Sequence, residues 1–520
     1  MNSLLEIGSG VVSPSERVAK TSDELASKPL VQENHIDVIR PVGGTVAYNF
    51  VACDRDQSFL LPPSLDEWLP KDHLVRFVIA IVDTLDLLAF YTRRRADGWG
   101  RAAYDPKMMV ALLVYAYATG ARSSRLIERR CAEDIAFRFI SANEIPDHAT
   151  IARFVTDYEQ ELADLFDQVL RLAAEVGLVR VGLVALDSTR IKANASQGAN
   201  RSPDWIRSEV ERIIAEARAT DEQEDRQADS SPGPEIPEDL VEPNSRSVRL
   251  LAAKAKLEAE QARRWADYEA RVAARRAKGG PGRQPKPPDE RAKDRERSKM
   301  VNITDPDSRT MSAANGGFLQ GFNAQAIATS DQIVIACEVT NEGNDFRQLK
   351  PMVEQAADSV AKAGVREQVG VLVADAGYLS EDNLGLEDEF GVELLIATKN
   401  RKHAADHTPP RGRIPRGLSR KQRMERKLRT KRGRRLYRRR GASIEPVFGQ
   451  QRQRGAGRFR RRGLRACNCE WRFEHAVHNL LKIRTSGRWT PPIRTPSPTR
   501  PHSSWRSMTF RPVSRCPGHP

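Results

Sequence analysis

Residues 181–187 decide the fold, and they read Val181-Gly182-Leu183-Val184-Ala185-Leu186-Asp187. A short, nearly continuous apolar run of this kind predicts a strand buried on both faces. A second such run, Gly370-Val371-Leu372-Val373-Ala374-Asp375, also ends in an acid. Strands buried on both faces belong to a sheet covered by helices. We therefore predict that both acids lie at one edge of a mixed α/β sheet and face a cleft.

Two acids at the ends of neighbouring strands point to a specific chemistry. Asp187 and Asp375 could jointly hold a divalent cation, because Mg²⁺ prefers a few carboxylates together with water and phosphate oxygens. The alternative interpretation is that each aspartate only caps the turn after its strand. The pattern of either run alone favours the cap, so the prediction of a metal site depends on a further acid.

The third acid is Glu445, which stands alone in a strongly basic part of the chain. Sixteen of the thirty residues from Arg411 to Arg440 are lysine or arginine. Glu445 and Arg452 are seven residues apart, which places them on the same side of a helix. An acid flanked by Arg440 and Arg452 could face a metal while the arginines bind phosphates. The alternatives are a counter-charge for the arginines, or an acid at a helix N-terminus near Pro446.

The region before the first strand has helical periodicity. Apolar residues recur at helical spacing in four stretches: 74–90, 106–119, 124–140 and 150–176. This predicts an all-helical domain over residues 55–178. The packing of a helical subdomain accounts for these apolar positions.

The remaining boundaries follow changes in composition. Residues 1–54 lack a steady pattern and are predicted to be a loose extension. Residues 200–298 are rich in charge and alanine, which favours a helical segment inserted into the sheet domain. That domain is assigned to 179–199 and 299–483. Residues 484–520 form a Pro/Arg/Ser-rich tail, predicted to be disordered.

The overall composition favours a soluble protein that binds polyanions, nucleic acid above all, and it does not distinguish DNA from RNA or from an anionic membrane surface. The formal net charge is +15 and the sequence pI is about 9.7, a surplus that attracts polyanions. The most apolar window, 108–121, is shorter than the ~18 residues that a membrane span needs. The four residues Cys467, Cys469, His475 and His478 could be read as zinc ligands, but the Cys-x-Cys spacing argues against it.

Several motifs, taken in order, resemble bacterial insertion-sequence transposases of the DDE type. The resemblance covers about residues 55 to 483. Its parts are Arg55-Asp56-Gln57 with 59–65, Tyr104 to Met108, Gly120 to Arg125, Asp187 to Asn194, Asp305 to Arg309, Gly321 to Gln325, and Asp375 to Tyr378. Tyr437, Arg440, Glu445 and Arg452 are similar to the family's Tyr-Arg-Glu-Lys signature, with arginine in place of lysine. Each motif is weak alone, and the order makes them specific.

The resemblance implies a ribonuclease H-like mixed sheet flanked by helices, with Asp187, Asp375 and Glu445 as catalytic metal ligands. It implies Mg²⁺ or Mn²⁺, two ions in all, and cleavage of double-stranded DNA at transposon ends followed by strand transfer into target DNA. Tyr437, Arg440, Arg452, Arg122 and Arg125 are then the expected DNA-binding residues. A homodimer would bring two ends together, and the implied location is the bacterial cytoplasm, at the nucleoid.

Three other functions compete with this interpretation. A decayed copy would bind nucleic acid without catalysis, and a plain magnesium nuclease would hydrolyse DNA without joining it. An RNA-binding protein is disfavoured by the low aromatic content of 6%.

Overall fold

A computed structural model describes residues 64–92, 103–227, 245–278, 284–288, 300–313, 316–398, 410, 412–413 and 415–491. Three predicted segments lie wholly or partly outside the described residues: the extension at 1–54, residues 55–63 of the first resemblance motif, and residues 492–520 of the tail predicted over 484–520. The last described helix spans Leu464–Ser486. The sheet domain therefore reaches slightly beyond the expected boundary at residue 483.

The N-terminal region is helical, as expected, with more breaks than the periodicity predicts. Its helices are α1 (Leu74–Val82), α2 (Leu88–Thr92), α3 (Pro106–Ala118), α4 (Ser124–Glu133), α5 (Ile135–Ile140), α6 (His148–Asp157) and α7 (Glu159–Glu175). Local caps cause the breaks. The Asp134 side chain, for example, accepts hydrogen bonds from the N–H groups of Ala136 and Phe137 and starts a new helix.

Within the described residues, the sheet has six strands: β1 (Leu183–Lys192), β4 (Arg309–Ser312), β5 (Phe318–Thr329), β6 (Val334–Thr340), β7 (Val371–Ala374) and β8 (Glu393–Ile396). The strand order is β4-β5-β1-β7-β8, and β6 pairs with β5. Strands β1, β7 and β8 are parallel, whereas β5 is antiparallel to β1 and to β6. This mixed sheet, with helices on its faces, confirms the predicted ribonuclease H-like α/β fold.

Asp187 lies inside β1 and not at its end, which corrects the prediction from the apolar run. The parallel partner β7 stops at the pair Leu186–Ala374. The antiparallel partner β5 continues to pair with β1 as far as Lys192. The polar residues after Asp187 therefore stay in the strand because β5 satisfies their backbone groups.

The helices of the sheet domain are α10 (Leu349–Lys362), α11 (Glu381–Phe390), α12 (Arg420–Arg429), α13 (Lys431–Gln453) and α14 (Leu464–Ser486). Helix α14 covers β6, which would otherwise expose an edge. Its Asn479 accepts from the Val334 N–H at 2.9 Å and donates to the Val334 carbonyl at 2.8 Å. A continuous apolar core joins these elements to the N-terminal helices.

The inserted segment forms a small unit of its own. Strands β2 (Asn200–Arg201) and β3 (Val301–Asn302) pair at its base, and helices α8 (Pro203–Gln227) and α9 (Arg246–Lys278) rise from it. A separate apolar cluster holds these helices together: Ile206, Val210, Leu250, Ala253 and Val301. None of the helices within the described ranges is both long enough and apolar enough to cross a lipid bilayer.

Candidate active site at the edge of the central sheet

The sheet brings the two predicted aspartates together. Since Leu186 pairs with Ala374 in a parallel register, Asp187 and Asp375 are the next residues on two adjacent strands. Asp375 leaves the sheet and caps the short turn Ala376–Tyr378, where its Oδ1 accepts from the Gly377 N–H at 2.9 Å. The capping role and the site role are therefore compatible, because one oxygen serves the turn and the carboxylate still lies beside Asp187.

Both carboxyls are harder to ionise than usual. Burial raises the pKa of Asp187 to about 6, although Arg440 and the Ser188 N–H lower it. Burial also raises the pKa of Asp375, against the opposing hydrogen bond from the Gly377 N–H. Each aspartate thus sits in a poorly solvated edge of the sheet. A bound cation would favour the ionised form of both groups.

A further carboxylate, Asp345, was missed by the sequence reasoning. Its Oδ1 accepts from Asn323 Nδ2 at 2.7 Å and from Gln325 Nε2 at 2.9 Å. A methyl group placed on Gly377 would lie 3.1 Å from both Asp345 Oδ2 and Asp375 Oδ1, so the two carboxylates flank one glycine. Asp345 also raises the pKa of Asp375 by its negative charge. Asp345 lies in a turn-like stretch after β6 and does not directly follow an apolar run, so the sequence pattern did not indicate it.

Helix α13 supplies the third acid. The helix begins after Thr430, whose side chain accepts from the Gly433 N–H, and it continues through Pro446. Proline removes the N–H that would bond the carbonyl four residues earlier. Here that carbonyl, of Ala442, accepts from Gln332 Nε2 at 3.2 Å. Glu445 therefore lies within a continuous helix, which rules out the alternative role at a helix N-terminus.

Arg440 connects α13 to the sheet. Its Nη1 donates to Asp187 Oδ2 at 2.6 Å, and its Nη2 lies 3.5 Å from Glu445 Oε1. The Asp187 side chain is 16% exposed, whereas that of Glu445 is 63% exposed. The counter-charge interpretation of Glu445 is thus partly correct. Because Arg440 contacts both Asp187 and Glu445, it also links the third predicted acid to the two aspartates.

The other signature residues lie along the same helix. Arg452 Nη2 donates to Thr189 Oγ1 at 2.7 Å, so it contacts β1 two residues after Asp187. Tyr437 is half-buried against the apolar core. Arg125 is exposed on α4. The DNA contacts expected of Arg440, Arg452, Tyr437 and Arg125 stay predictions.

Arg122 does not fit its predicted role. It is buried, and its guanidinium forms ion pairs with Glu470, at 3.1 Å, and with Glu474. These partners belong to α14, so Arg122 joins the N-terminal helices to the sheet domain. A side chain enclosed in this way cannot contact DNA, and the expectation from the sequence was wrong for this residue. Nothing in the sequence pairs Arg122 with acids some 350 positions away.

The donors at the sheet edge suit a hard divalent cation, because carboxylate oxygens are the ligands that Mg²⁺ and Mn²⁺ prefer. Asp187, Asp375 and Glu445 would hold it, with Asp345 close by. Within the ranges described above, no three acidic, histidine or cysteine side chains already converge as a metal cage. Arg440 lies between Asp187 and Glu445 and neutralises the charge that a cation would otherwise meet.

The residues once considered as zinc ligands belong to the core of α14. Cys467 Sγ donates to the Arg461 carbonyl, His475 bonds to Gln451, and His478 Nε2 bonds to the Gln332 carbonyl at 2.9 Å. Burial lowers the pKa of His478 to about 3, so this ring is neutral. These contacts give the cluster a packing role in holding α14 on the sheet.

Two family models match the chain. Residues 63–157 match the Transposase domain (DUF772), and residues 287–480 match the Transposase DDE domain. The first match covers most of the N-terminal helices, and the second covers strands β3 to β8 with α10 to α14, including Asp375 and Glu445. No curated protein and no solved structure matches the chain.

Proposed function

The chain belongs to the DDE-type insertion-sequence transposases, and we propose that it cuts double-stranded DNA at the ends of its element and joins the freed ends to target DNA. The observation that carries this proposal is the adjacency of Asp187 and Asp375 on parallel strands, with Arg440 linking Asp187 to Glu445. Family membership makes DNA the substrate, and the sheet edge offers a place for one scissile phosphate.

The reaction needs two phosphoryl transfers. In the first, a water oxygen bonds to phosphorus, the bond to the 3′ oxygen breaks, and the water proton is released. In the second, the freed 3′-OH attacks a phosphate of the target, and a target 3′ oxygen leaves. Mg²⁺ or Mn²⁺, as two ions held by Asp187, Asp375 and Glu445, would supply the charge that activates the nucleophile and stabilises the leaving oxygen.

The chain's own residues would place the DNA and hold the acids in position. Arg440 orients Asp187 and restrains Glu445, while Arg452 braces α13 against Thr189 on β1. Positioning of this sort accounts for most of the catalysis in phosphoryl transfer. Exposed cations on α13 and α4, Arg125 among them, would bind phosphates without reading bases. A homodimer would hold two ends for joining.

The test is a cleavage and joining assay with DNA that carries the sequences flanking the gene, in Mg²⁺. We expect the wild type to give both nicked ends and strand-transfer products. Asp375→Asn should abolish both, since it removes a charge next to Asp187. The matched control is Asp358→Asn, an exposed aspartate on α10 that pairs with Lys362 at 2.6 Å.

Each other outcome excludes the proposal in a defined way. Nicked DNA without joined products would identify a nuclease. Binding without cleavage by the wild type would identify a decayed, purely binding protein. Full activity of the Asp375→Asn protein would show that the carboxylates at the sheet edge are not the catalytic site.

A further inference from the structure

A second basic feature lies at the far end of β1, away from the carboxylates. A cleft of about 700 Å³ is lined by Lys192 of β1, Arg249 of α9, and Arg458 and Arg462 of the segment between α13 and α14. The start of β5, with the exposed Phe318, forms another wall. We call this feature the basic cleft. It lies between the sheet domain and the inserted segment.

The basic cleft contains cations without internal counter-charges. Among the residues that the structure describes, no aspartate or glutamate lines it. Across the described part of the chain, none of its four cations forms an ion pair with a carboxylate: Lys192, Arg249, Arg458 and Arg462. The contacts recorded for Arg462 and Arg249 are to backbone carbonyls, of Asn194 and Ser245. Like charges gathered in a concave surface focus a positive field and favour an anionic ligand.

Another cleft of the molecule provides a contrast. It has a volume of about 580 Å³ and is also lined by cations, among them Arg171, Lys362 and Arg366. Glu175 and Glu367 line it as well, so its charges are mixed. Among the described residues, the lining of the basic cleft thus differs from that of the other cleft in containing no acids.

The walls of the basic cleft are fixed before any ligand arrives. The inserted helix α9 is tied to the sheet domain by Lys256–Asp307 at 2.5 Å and by an ion pair between Glu260 and Arg309. On the other side, the Lys192 N–H donates to the Gly457 carbonyl, and the Phe459 N–H donates to the Lys192 carbonyl. A site built on paired strands and ion-paired helices is preorganised, which lowers the cost of binding.

We propose that the basic cleft binds the phosphate backbone of double-stranded DNA beside the scissile position. This rests on the proposed function. Lys192 is five residues beyond Asp187 on β1, a distance of about 16 Å at ~3.3 Å per residue. That length corresponds to about five base pairs of duplex at ~3.4 Å each. Because of this separation, the cleft takes flanking phosphates and not the one that is cut.

The experiment measures DNA affinity against salt concentration in EDTA, where no cleavage occurs. The variant is Lys192→Gln/Arg458→Gln, whose side chains are exposed. Each lost phosphate contact lowers the slope of log K against log salt by about 0.9, so we expect the slope to fall by about 2. The control, Arg171→Gln/Arg366→Gln, removes the same charge from the mixed cleft and should keep the wild-type slope. Lys192→Arg/Arg458→Lys keeps the charge and should also keep the slope.

The position is tested with duplexes in which single phosphates are replaced by neutral methylphosphonates. Replacement about five or more base pairs from the cut should weaken wild-type binding and leave binding of the Lys192→Gln/Arg458→Gln protein unchanged. An equal slope in that variant and the wild type would overturn the proposal. The proposal would also be overturned if the variant lost affinity for duplex RNA and kept the wild-type affinity for duplex DNA. If the salt slope falls by about 2 in Lys192→Gln/Arg458→Gln but the wild type never cleaves DNA, the proposed function fails and the DNA-binding role of the basic cleft stands.

Discussion

Arg122 and Arg440 each contact two carboxylates, and their surroundings differ. Arg122 meets Glu470 and Glu474 in the core, where all three side chains are at most 3% exposed. Arg440 meets Asp187 and Glu445 at the sheet edge, where the exposed fractions are 20%, 16% and 63%. The first group is sealed and joins two regions. The second is open to a ligand, so solvent access separates a structural ion cluster from a site.

The largest effect is expected from breaking the sealed cluster. Arg122→Met would leave Glu470 and Glu474 buried without their main counter-charge, and it should lower the free energy of unfolding by about 3–5 kcal/mol. Urea denaturation followed by circular dichroism measures this. Arg125→Gln, three residues along and exposed, should change stability by less than about 0.5 kcal/mol. A loss below 1 kcal/mol for Arg122→Met would mean that the cluster is not structural.

The open cluster should respond in the opposite way. Arg440→Gln removes the contact that orients Asp187 and restrains Glu445, so we expect DNA cleavage to fall by roughly 100-fold. The free energy of unfolding should change by at most about 1 kcal/mol, because the ion pair is partly solvated. Single-turnover cleavage and urea denaturation of the same preparation give both numbers. If Arg440→Gln lowered the free energy of unfolding and kept the wild-type cleavage rate, Arg440 would be structural like Arg122.

The pH dependence of metal binding sharpens the comparison further. The cation binds the ionised carboxylate, and burial raises the pKa of Asp187 to about 6. Protons therefore compete with the metal below this value. The apparent affinity for Mn²⁺ should fall about tenfold for each pH unit below ~6 and level off above it. Titration calorimetry between pH 5 and 7.5 measures it, and an affinity independent of pH would show that Asp187 is not a ligand.

The smallest effect concerns the exposed arginine of the N-terminal helices. Arg125→Gln should weaken binding to duplex DNA by less than tenfold and lower the salt slope by about 1, as expected for one lost phosphate contact. Fluorescence anisotropy over a range of salt concentrations gives this slope. An unchanged slope would leave α4 without a role in DNA binding.

The sequence predicted those parts of the site that have local signals. The apolar runs before Asp187 and Asp375 located two neighbouring parallel strands, and the helical spacing of Glu445 and Arg452 placed both on α13. The prediction that β1 ends at Asp187 was wrong, because its continuation depends on pairing with β5, a distant part of the chain.

Arg122 and Asp345 show why the rest of the site could not be predicted from the sequence. Arg122 looked like any basic residue near a helix start, and only the packing of α14 reveals that it is buried between glutamates. Asp345 resembled an ordinary turn acid, and only the sheet brings it to the glycine that it shares with Asp375. Contacts between residues far apart in sequence decide both cases, and local patterns carry no information on them.

The most direct test of the central claim is cleavage of end-containing DNA in Mg²⁺ by Glu445→Gln. Helix α13 has no other acid, and the exposed Glu354 on α10 provides the control variant Glu354→Gln. The account predicts that Glu445→Gln binds the DNA and fails to cut it, while Glu354→Gln cuts at the wild-type rate. Cleavage by Glu445→Gln at the wild-type rate would contradict the assignment of a three-acid site.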